Sequence, residues 1–456
     1  MHQHRRFNYD SLEQLKNDIQ CLGVKIPLSE DIEVLKQPIK IGDKTIPNPL
    51  AIHPMEGCDG TSDGKPDELT FRRYDRFSKG GAGLIWLEAT AVVPEGRANP
   101  RQLYICRENK SDFQALYDRI IKNASDTYSF TYKPYTVLQL THSGRYSKPD
   151  GKPASMIATQ NPYLEGSLSK NYRMITDDEL EMLEDRFVQA AVIASEIGFD
   201  AVDIKSCHGY LNSELLSAFT REGRYGGSFE NRTRFLLNIV DKIKARLGSK
   251  IDITLRLNAY DAVPYPYGWG VSRDDFHKPD LSEPIKLVKI LYEKGVRLVN
   301  LSSGNPYYNP HVGRPYDNGL YTPPQHPLEG IANMLGIARQ IQQAVPDMAV
   351  IATTFSWLRE YAVNVAAGGI KEGWFKLAGF GRQALAYPDF AKDIFEAGAM
   401  ERGKCCTVCS NCTVIMRDGG KTGCVIKDSK VYGPIYKQGR EGKPPIRMDT
   451  TVSEHL

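Results

Sequence analysis

FDAVDIKSCHGYLNSELLSAFTREGRYGGSFENRTRF, residues Phe199–Phe235, opens with a short apolar strand that runs into Lys205, Ser206, Cys207, His208 and Tyr210 before a helical pattern begins. Titratable side chains gathered where a strand ends point to a parallel α/β barrel, because the loops after the carboxyl ends of its strands build the active site. Outward from this stretch, strand-like and helix-like runs alternate eight times, the pattern of a parallel sheet with crossover helices. Strands are predicted at 49–53, 84–90, 136–140, 200–205, 252–257, 297–302, 348–353 and 373–378. The clearest helix covers 177–197, where Leu180, Leu183, Phe187, Ala190, Ala194 and Ile197 recur at helical spacing and Thr176 with Glu179 forms a capping box. Gly198 follows, where a left-handed residue ends a helix. The expected fold is α/β, a (β/α)8 TIM barrel with a small C-terminal cysteine-rich segment.

Two irregular stretches, 260–271 and 302–327, follow the fifth and sixth strands and are rich in Tyr, Pro and Gly, so both are expected to roof the active-site end. His142 and Arg145, after the third strand, are expected to face the substrate. After the eighth strand come Gly379, Phe380, Gly381 and Arg382; glycine lets backbone amides approach an anion and arginine adds a fixed positive fork, which suits a phosphate.

Composition excludes several classes. With 58 basic against 55 acidic residues the net charge is +3, so nothing global suggests nucleic acid or an anionic membrane surface as a partner. The first residues, MHQHRRFNYD, lack the apolar stretch of a secretory signal, and no run approaches the roughly 18 apolar residues of a membrane span. A cytoplasmic location is expected.

Of nine cysteines, Cys405, Cys406, Cys409, Cys412 and Cys424 crowd into one short stretch, which points to metal ligation rather than a disulfide framework. Cys406-x2-Cys409-x2-Cys412-x11-Cys424 suits an iron–sulfur cube, with three thiolates at three-residue spacing and the fourth from a separate turn. Cys405 in place of Cys406, or structural zinc on the same thiols, are the alternatives. Cys405-x3-Cys409-x2-Cys412 also has radical-SAM spacing.

The Gly-Tyr-Leu after His208, the run Tyr225–Arg232, and the Gly-Arg followed by Tyr387-Pro388-Asp389 resemble the Old Yellow Enzyme family of flavin-dependent ene-reductases. The cysteine spacing resembles its dienoyl-CoA reductase and trimethylamine dehydrogenase branch, in which a 4Fe-4S cluster follows the barrel. The resemblance implies FMN-binding positions at Pro54, Met55, Gly57, Ala89, Gln139, Arg256, Thr354, Gly381 and Arg382, with Gln139 on the flavin pyrimidine edge and Arg256 near its N1 and O2. It implies Tyr210 as proton donor and Lys205 with His208 as the pair that binds the substrate oxygen; lysine at the first of these places is unusual. Where the family carries a glycine pair after strand seven, this chain reads Thr353, Thr354, Phe355, Ser356 and Trp357. Cys58 lies near, but offset from, a position that carries flavin covalently in trimethylamine dehydrogenase.

The implied organisation is an N-terminal extension over 1–40, an FMN-binding barrel over 41–400, and an iron–sulfur segment with a C-terminal tail over 401–456. The implied activity is reduction of an activated C=C bond in an unsaturated carbonyl or acid, by electrons from a partner flavoprotein or ferredoxin, or directly from NAD(P)H. An amine dehydrogenase with an aromatic cage built from Tyr265, Tyr267, Trp269, Tyr307 and Tyr308, and a non-catalytic zinc-bearing scaffold, are the rival expectations. A homo-oligomer is also open.

Overall fold

Eight parallel strands close on themselves in chain order: β1 Leu50–Ile52, β2 Leu84–Ala91, β3 Tyr135–Thr141, β4 Ala201–Ile204, β5 Asp252–Tyr260, β6 Leu298–Ser303, β7 Ala349–Ala352 and β8 Leu377–Phe380. The computed structural model describes residues 3–168 and 171–444; the tail predicted beyond 444 lies outside the described residues. Closure comes from β8 pairing with β1, Ala378 opposite Leu50 and Phe380 opposite Ile52. Almost every strand residue is buried on both faces, as in any sheet covered by helices outside and filled by side chains within.

The crossover helices are α1 Glu68–Ser78, α2 Lys110–Thr127, α3 Asp177–Ile197, α4 Phe229–Leu247, α5 Ser282–Glu293, α6 Pro327–Ala344, α7 Ala362–Lys371 and α8 Phe390–Ala397. In α3 the six apolar residues named from the sequence are all buried, the Thr176–Glu179 capping box is formed, and Gly198 is left-handed at φ 107°. The predicted eighth strand began too early. Gly373, at φ 68°, and Trp374 instead finish α7, with the Trp374 N–H donating to the Gly369 carbonyl at 2.8 Å, so the strand starts only at Leu377.

Outside the barrel, an antiparallel hairpin, Ile39–Ile41 with Lys44–Ile46, packs Ile41 and Ile46 against Ala51, Leu84 and Trp86 and shuts the amino-terminal end. A helix over Leu12–Cys21 precedes it, and Phe7 and Tyr9 meet the Trp357 ring edge-on at 5.4 and 6.1 Å between centroids. After α8 the chain forms α9 Asn411–Arg417 and α10 Ser429–Arg440 and ties back to the barrel: the Thr422 N–H donates to the Gly57 carbonyl at 2.6 Å, and Asp428 pairs with Arg72 and Arg76 on α1. Among the described residues no helix is long and apolar enough to cross a membrane.

Candidate active site

At the carboxyl ends of the strands lies an open-mouthed cavity of about 210 Å³. Its floor comes from the strand ends: His53 and Pro54 after β1, Gln139 on β3, Arg256 on β5 and Gly379 on β8. Two buried groups set the polarity of that floor. Asp203, on β4, accepts from Trp86 Nε1 at 2.8 Å, Gln139 Nε2 at 2.5 Å and the Arg256 N–H at 2.7 Å, which fixes the Gln139 amide. Burial nonetheless pushes the Asp203 carboxyl up to about 6. His53 accepts from Asn300 Nδ2 at 3.0 Å; burial, then the Arg256 charge, holds the ring well below its usual range, and so neutral.

Lys205, His208 and Tyr210 line one side together, because β4 ends in a sharp turn in which His208 takes φ 66° and Gly209 φ 70°. The left-handed pair swings His208 toward β6, where its Nε2 lies 3.0 Å from Ser302 Oγ. Burial, reinforced by Arg256 and Lys205, keeps His208 well below the ordinary histidine range. The Lys205 ammonium stands 3.6 Å from the centroid of the Tyr210 ring. Glu56 joins them: its Oε1 lies 3.2 Å from Lys205 Nζ and accepts from the Tyr210 hydroxyl at 3.2 Å. Burial, then the charge of Glu56, pushes the Tyr210 phenol well above its usual range. Tyr307, stacked on Tyr146 at 3.7 Å, places its own hydroxyl 3.3 Å from that of Tyr210.

The rest of the lining is rich in cations. Arg382 gives Nη2 to the Pro315 carbonyl at 2.8 Å but leaves Nη1 buried without a partner, and Thr354 Oγ1 and Arg256 Nε are left in the same way. An unmatched buried donor is costly, so three of them around one cavity mark places where a ligand's oxygens fit. Thr354 sits at φ 91°, the left-handed backbone that glycine usually supplies, at the position where the resembled family has its glycine pair. Pro54, Met55, Gly381, Arg314 and Arg417 complete the wall. The unmatched donors and cations of this cavity suit an anionic, hydrogen-bonding cofactor such as a flavin.

Several expected members stand elsewhere. Gly57 does not line the cavity; its N–H donates to Glu88 Oε2 at 2.7 Å, and any Cβ there would meet the Arg73 guanidinium at 2.0 Å. Ala89 is fully buried, its carbonyl accepts from Gln102 Nε2 at 3.1 Å, and it does not line the cavity. Arg145 is locked against Glu214, and His142 takes the Gly144 N–H at 3.0 Å, so neither reaches the cavity. Cys58 is also off the wall, accepting from Asn99 Nδ2 at 3.3 Å. Of the two irregular stretches, the one after β6 lines the cavity, through Pro306, Tyr307, Pro310 and Arg314, together with Cys412, Thr413, Met416 and Arg417 of the C-terminal segment; no described residue of 260–271 takes part, and Trp269 there packs against Arg232. Of the five aromatic residues named for a cage, Tyr307 alone lines the cavity.

Glu56, His53, Arg314 and Arg417 went unnamed as site residues in the sequence, and Tyr307 was named only for the amine cage. Glu56 lies between two positions that were named, and its signal was an acidic residue immediately after a barrel strand. Arg314 lies in the irregular stretch after β6, and Arg417 ends α9, a helix too short to show a period in the sequence.

Cys412 lines the cavity, and the cysteines cluster around it: Cys406 feels the charges of Cys412 and Cys424, Cys412 that of Cys409, and Cys424 those of Cys412 and Cys409. Cys405 turns away, its thiol donating to the Glu401 carbonyl at 3.4 Å. Burial pushes Cys406 up to about 12. The donor chemistry suits a thiolate-held group, yet among the described residues no three Cys, His, Asp or Glu side chains gather closely enough to hold a metal ion as they stand.

The model of a family described as NADH:flavin oxidoreductase / NADH oxidase matches residues 34–300. An NADH:flavin oxidoreductase of Gibberella zeae is 27% identical over 361 residues, covering 74% of this chain and 76% of its own. The NADH oxidase of Thermoanaerobacter brockii is 27% identical over 410 residues, 88% of this chain but only 56% of that longer protein. Among solved structures, a 2-naphthoyl-CoA reductase in complex with 2-naphthoyl-CoA superposes with a TM-score of 0.70 at 20% identity, covering 89% of this chain and 58% of that one. The matched portion of the last two relatives is thus little more than half their length.

Proposed function

The chain belongs to the NADH:flavin oxidoreductase / NADH oxidase family, and from that premise we propose that it is an FMN-dependent ene-reductase acting on an activated C=C bond. The observation that carries this reading is the convergence on one cavity of two sets of groups. Arg256, Thr354 and Arg382 offer unmatched buried polar atoms, and Lys205, His208 and Tyr210 line the same cavity.

When bound and reduced, FMN supplies a hydride for the β-carbon of an unsaturated carbonyl compound. The chain does the rest. Lys205 and His208 hold the carbonyl oxygen; the ammonium charge is fixed where negative charge develops, which is the usual largest contribution to such catalysis. Tyr210 then gives its proton to the α-carbon as general acid. The roof segment around Tyr307 restricts water. A 2-naphthoyl-CoA reductase of the same fold, solved with 2-naphthoyl-CoA, makes thioesters a third substrate class to test beside enones and acids.

Cys406, Cys409, Cys412 and Cys424 are the proposed ligands of a 4Fe-4S cluster, which would bring single electrons from a partner flavoprotein or ferredoxin; direct reduction by NAD(P)H is the simpler supply. The orientation of Cys405 favours Cys406 as first ligand. The test mixes dithionite-reduced, FMN-loaded protein anaerobically with enones, unsaturated acids and unsaturated thioesters. Rapid flavin reoxidation with formation of the saturated product is expected; reoxidation by none of these, or reduction of the oxidised, FMN-loaded protein by tertiary amines in their place, would overturn the reading.

A further inference from the structure

Glu56 shares the cavity wall with Lys205 and Tyr210, yet the proposed chemistry gives it no task. Its side chain is 14% exposed and that of Lys205 4%, so the 3.2 Å pair between them is largely removed from water. A partly desolvated pair is screened weakly, and a third charge brought against it feels both members. With its cation already matched, the anchor presents little net charge to an incoming oxygen. An uncharged carbonyl accepts a hydrogen bond from Lys205 without disturbing the pair, whereas a carboxylate at the same place must face the Glu56 carboxylate. The remaining cations do not alter this locally: Arg256 and Arg382 offer their unmatched nitrogens to the proposed flavin positions, Arg314 gives Nη1 to Thr413 Oγ1 at 2.7 Å, and Arg417 gives Nη2 to the Pro306 carbonyl at 3.1 Å. His208 carries no charge to compensate.

We propose that Glu56 is a specificity-determining residue that neutralises Lys205 and so makes the oxygen anchor select uncharged carbonyls (enones, amides, thioesters) over free unsaturated carboxylates. The inference rests on the ene-reductase reading of the site and deepens it by naming the charge class of the substrate.

The test uses oxidised, FMN-loaded protein and two ligands of one skeleton, cinnamamide and cinnamate, with binding followed by calorimetry and by the flavin absorbance change, so no turnover is required. Wild type is expected to bind the amide at least about tenfold more tightly. Glu56→Gln should raise cinnamate affinity about tenfold or more while moving cinnamamide by less than about threefold, and adding Lys205→Met should abolish that gain. Flavin content and thermal unfolding confirm that each variant is folded. Binding of both ligands with a ratio that Glu56→Gln leaves unchanged, or a wild type that prefers the acid, would overturn the role of Glu56 while leaving the ene-reductase reading standing. Failure of both ligands to bind wild type would contradict that reading and the inference together.

Discussion

The ammonium of Lys205 lies over the ring of Tyr210, 3.6 Å from its centroid, while both side chains converge on one oxygen of Glu56. The arrangement binds the proposed oxygen anchor and the proposed proton donor into one unit, with opposite effects on the phenol. The cation favours phenolate, whereas burial and the Glu56 carboxylate favour the protonated form and prevail. The general acid is thereby kept charged with its proton.

A pH dependence follows. A general acid works only while protonated, so its contribution is lost as pH rises through its pKa in the folded protein. An ordinary phenol titrates near 10, and that of Tyr210 is held well above this. The rate at which substrate reoxidises the reduced flavin should therefore stay level up to about pH 10, measured by stopped flow. In Tyr210→Phe that rate should be about 10² to 10⁴ lower at every pH, with reduction of the flavin unaffected.

Flavin retention should depend on Arg382. Its Nη1 is buried without a partner beside Thr354, and a hydrogen bond to a charged group contributes about 1.5–3 kcal/mol. Arg382→Met should weaken FMN binding by roughly ten- to a hundredfold in equilibrium dialysis, with the barrel's far-ultraviolet dichroism unchanged.

The loop after β1 hangs on a buried charge cluster. Arg73 is paired with both Asp59, at 2.6 Å, and Glu88, with side chains at most 3% exposed, and burial pushes Glu88 up to about 7. Arg73→Met strands two carboxylates and should cost about 3–5 kcal/mol in denaturant unfolding. Glu88 shifts upward, so the stability it contributes is greatest below its unfolded value and is lost as pH rises through about 7.

Iron should follow the orientation of the thiols. Anaerobically prepared Cys406→Ser should lose most of its iron and sulfide, whereas Cys405→Ser, whose thiol faces the Glu401 carbonyl, should keep them. Equal loss in both variants would reassign the first ligand.

Much of this was legible beforehand, and the reasons are local. The α3 helix was readable because its apolar spacing, cap and terminal glycine are contiguous in the chain and agree with one another. Lys205, His208 and Tyr210 were readable because a single turn after β4 carries all three. The eighth strand was misplaced because Gly373 and Trp374 read equally well as a strand opening and as a helix end; only the Trp374–Gly369 hydrogen bond decides. Glu56 was invisible as a partner since 149 residues separate it from Lys205, and no local pattern connects an ion pair across the barrel mouth.

The most direct test of the account is reconstitution of the purified chain with FMN in the absence of oxygen, followed by gel filtration and measurement of bound flavin. One FMN per chain is predicted, retained in wild type and released by Arg382→Met. A protein that leaves the column colourless, with no flavin bound under any of these conditions, would contradict it.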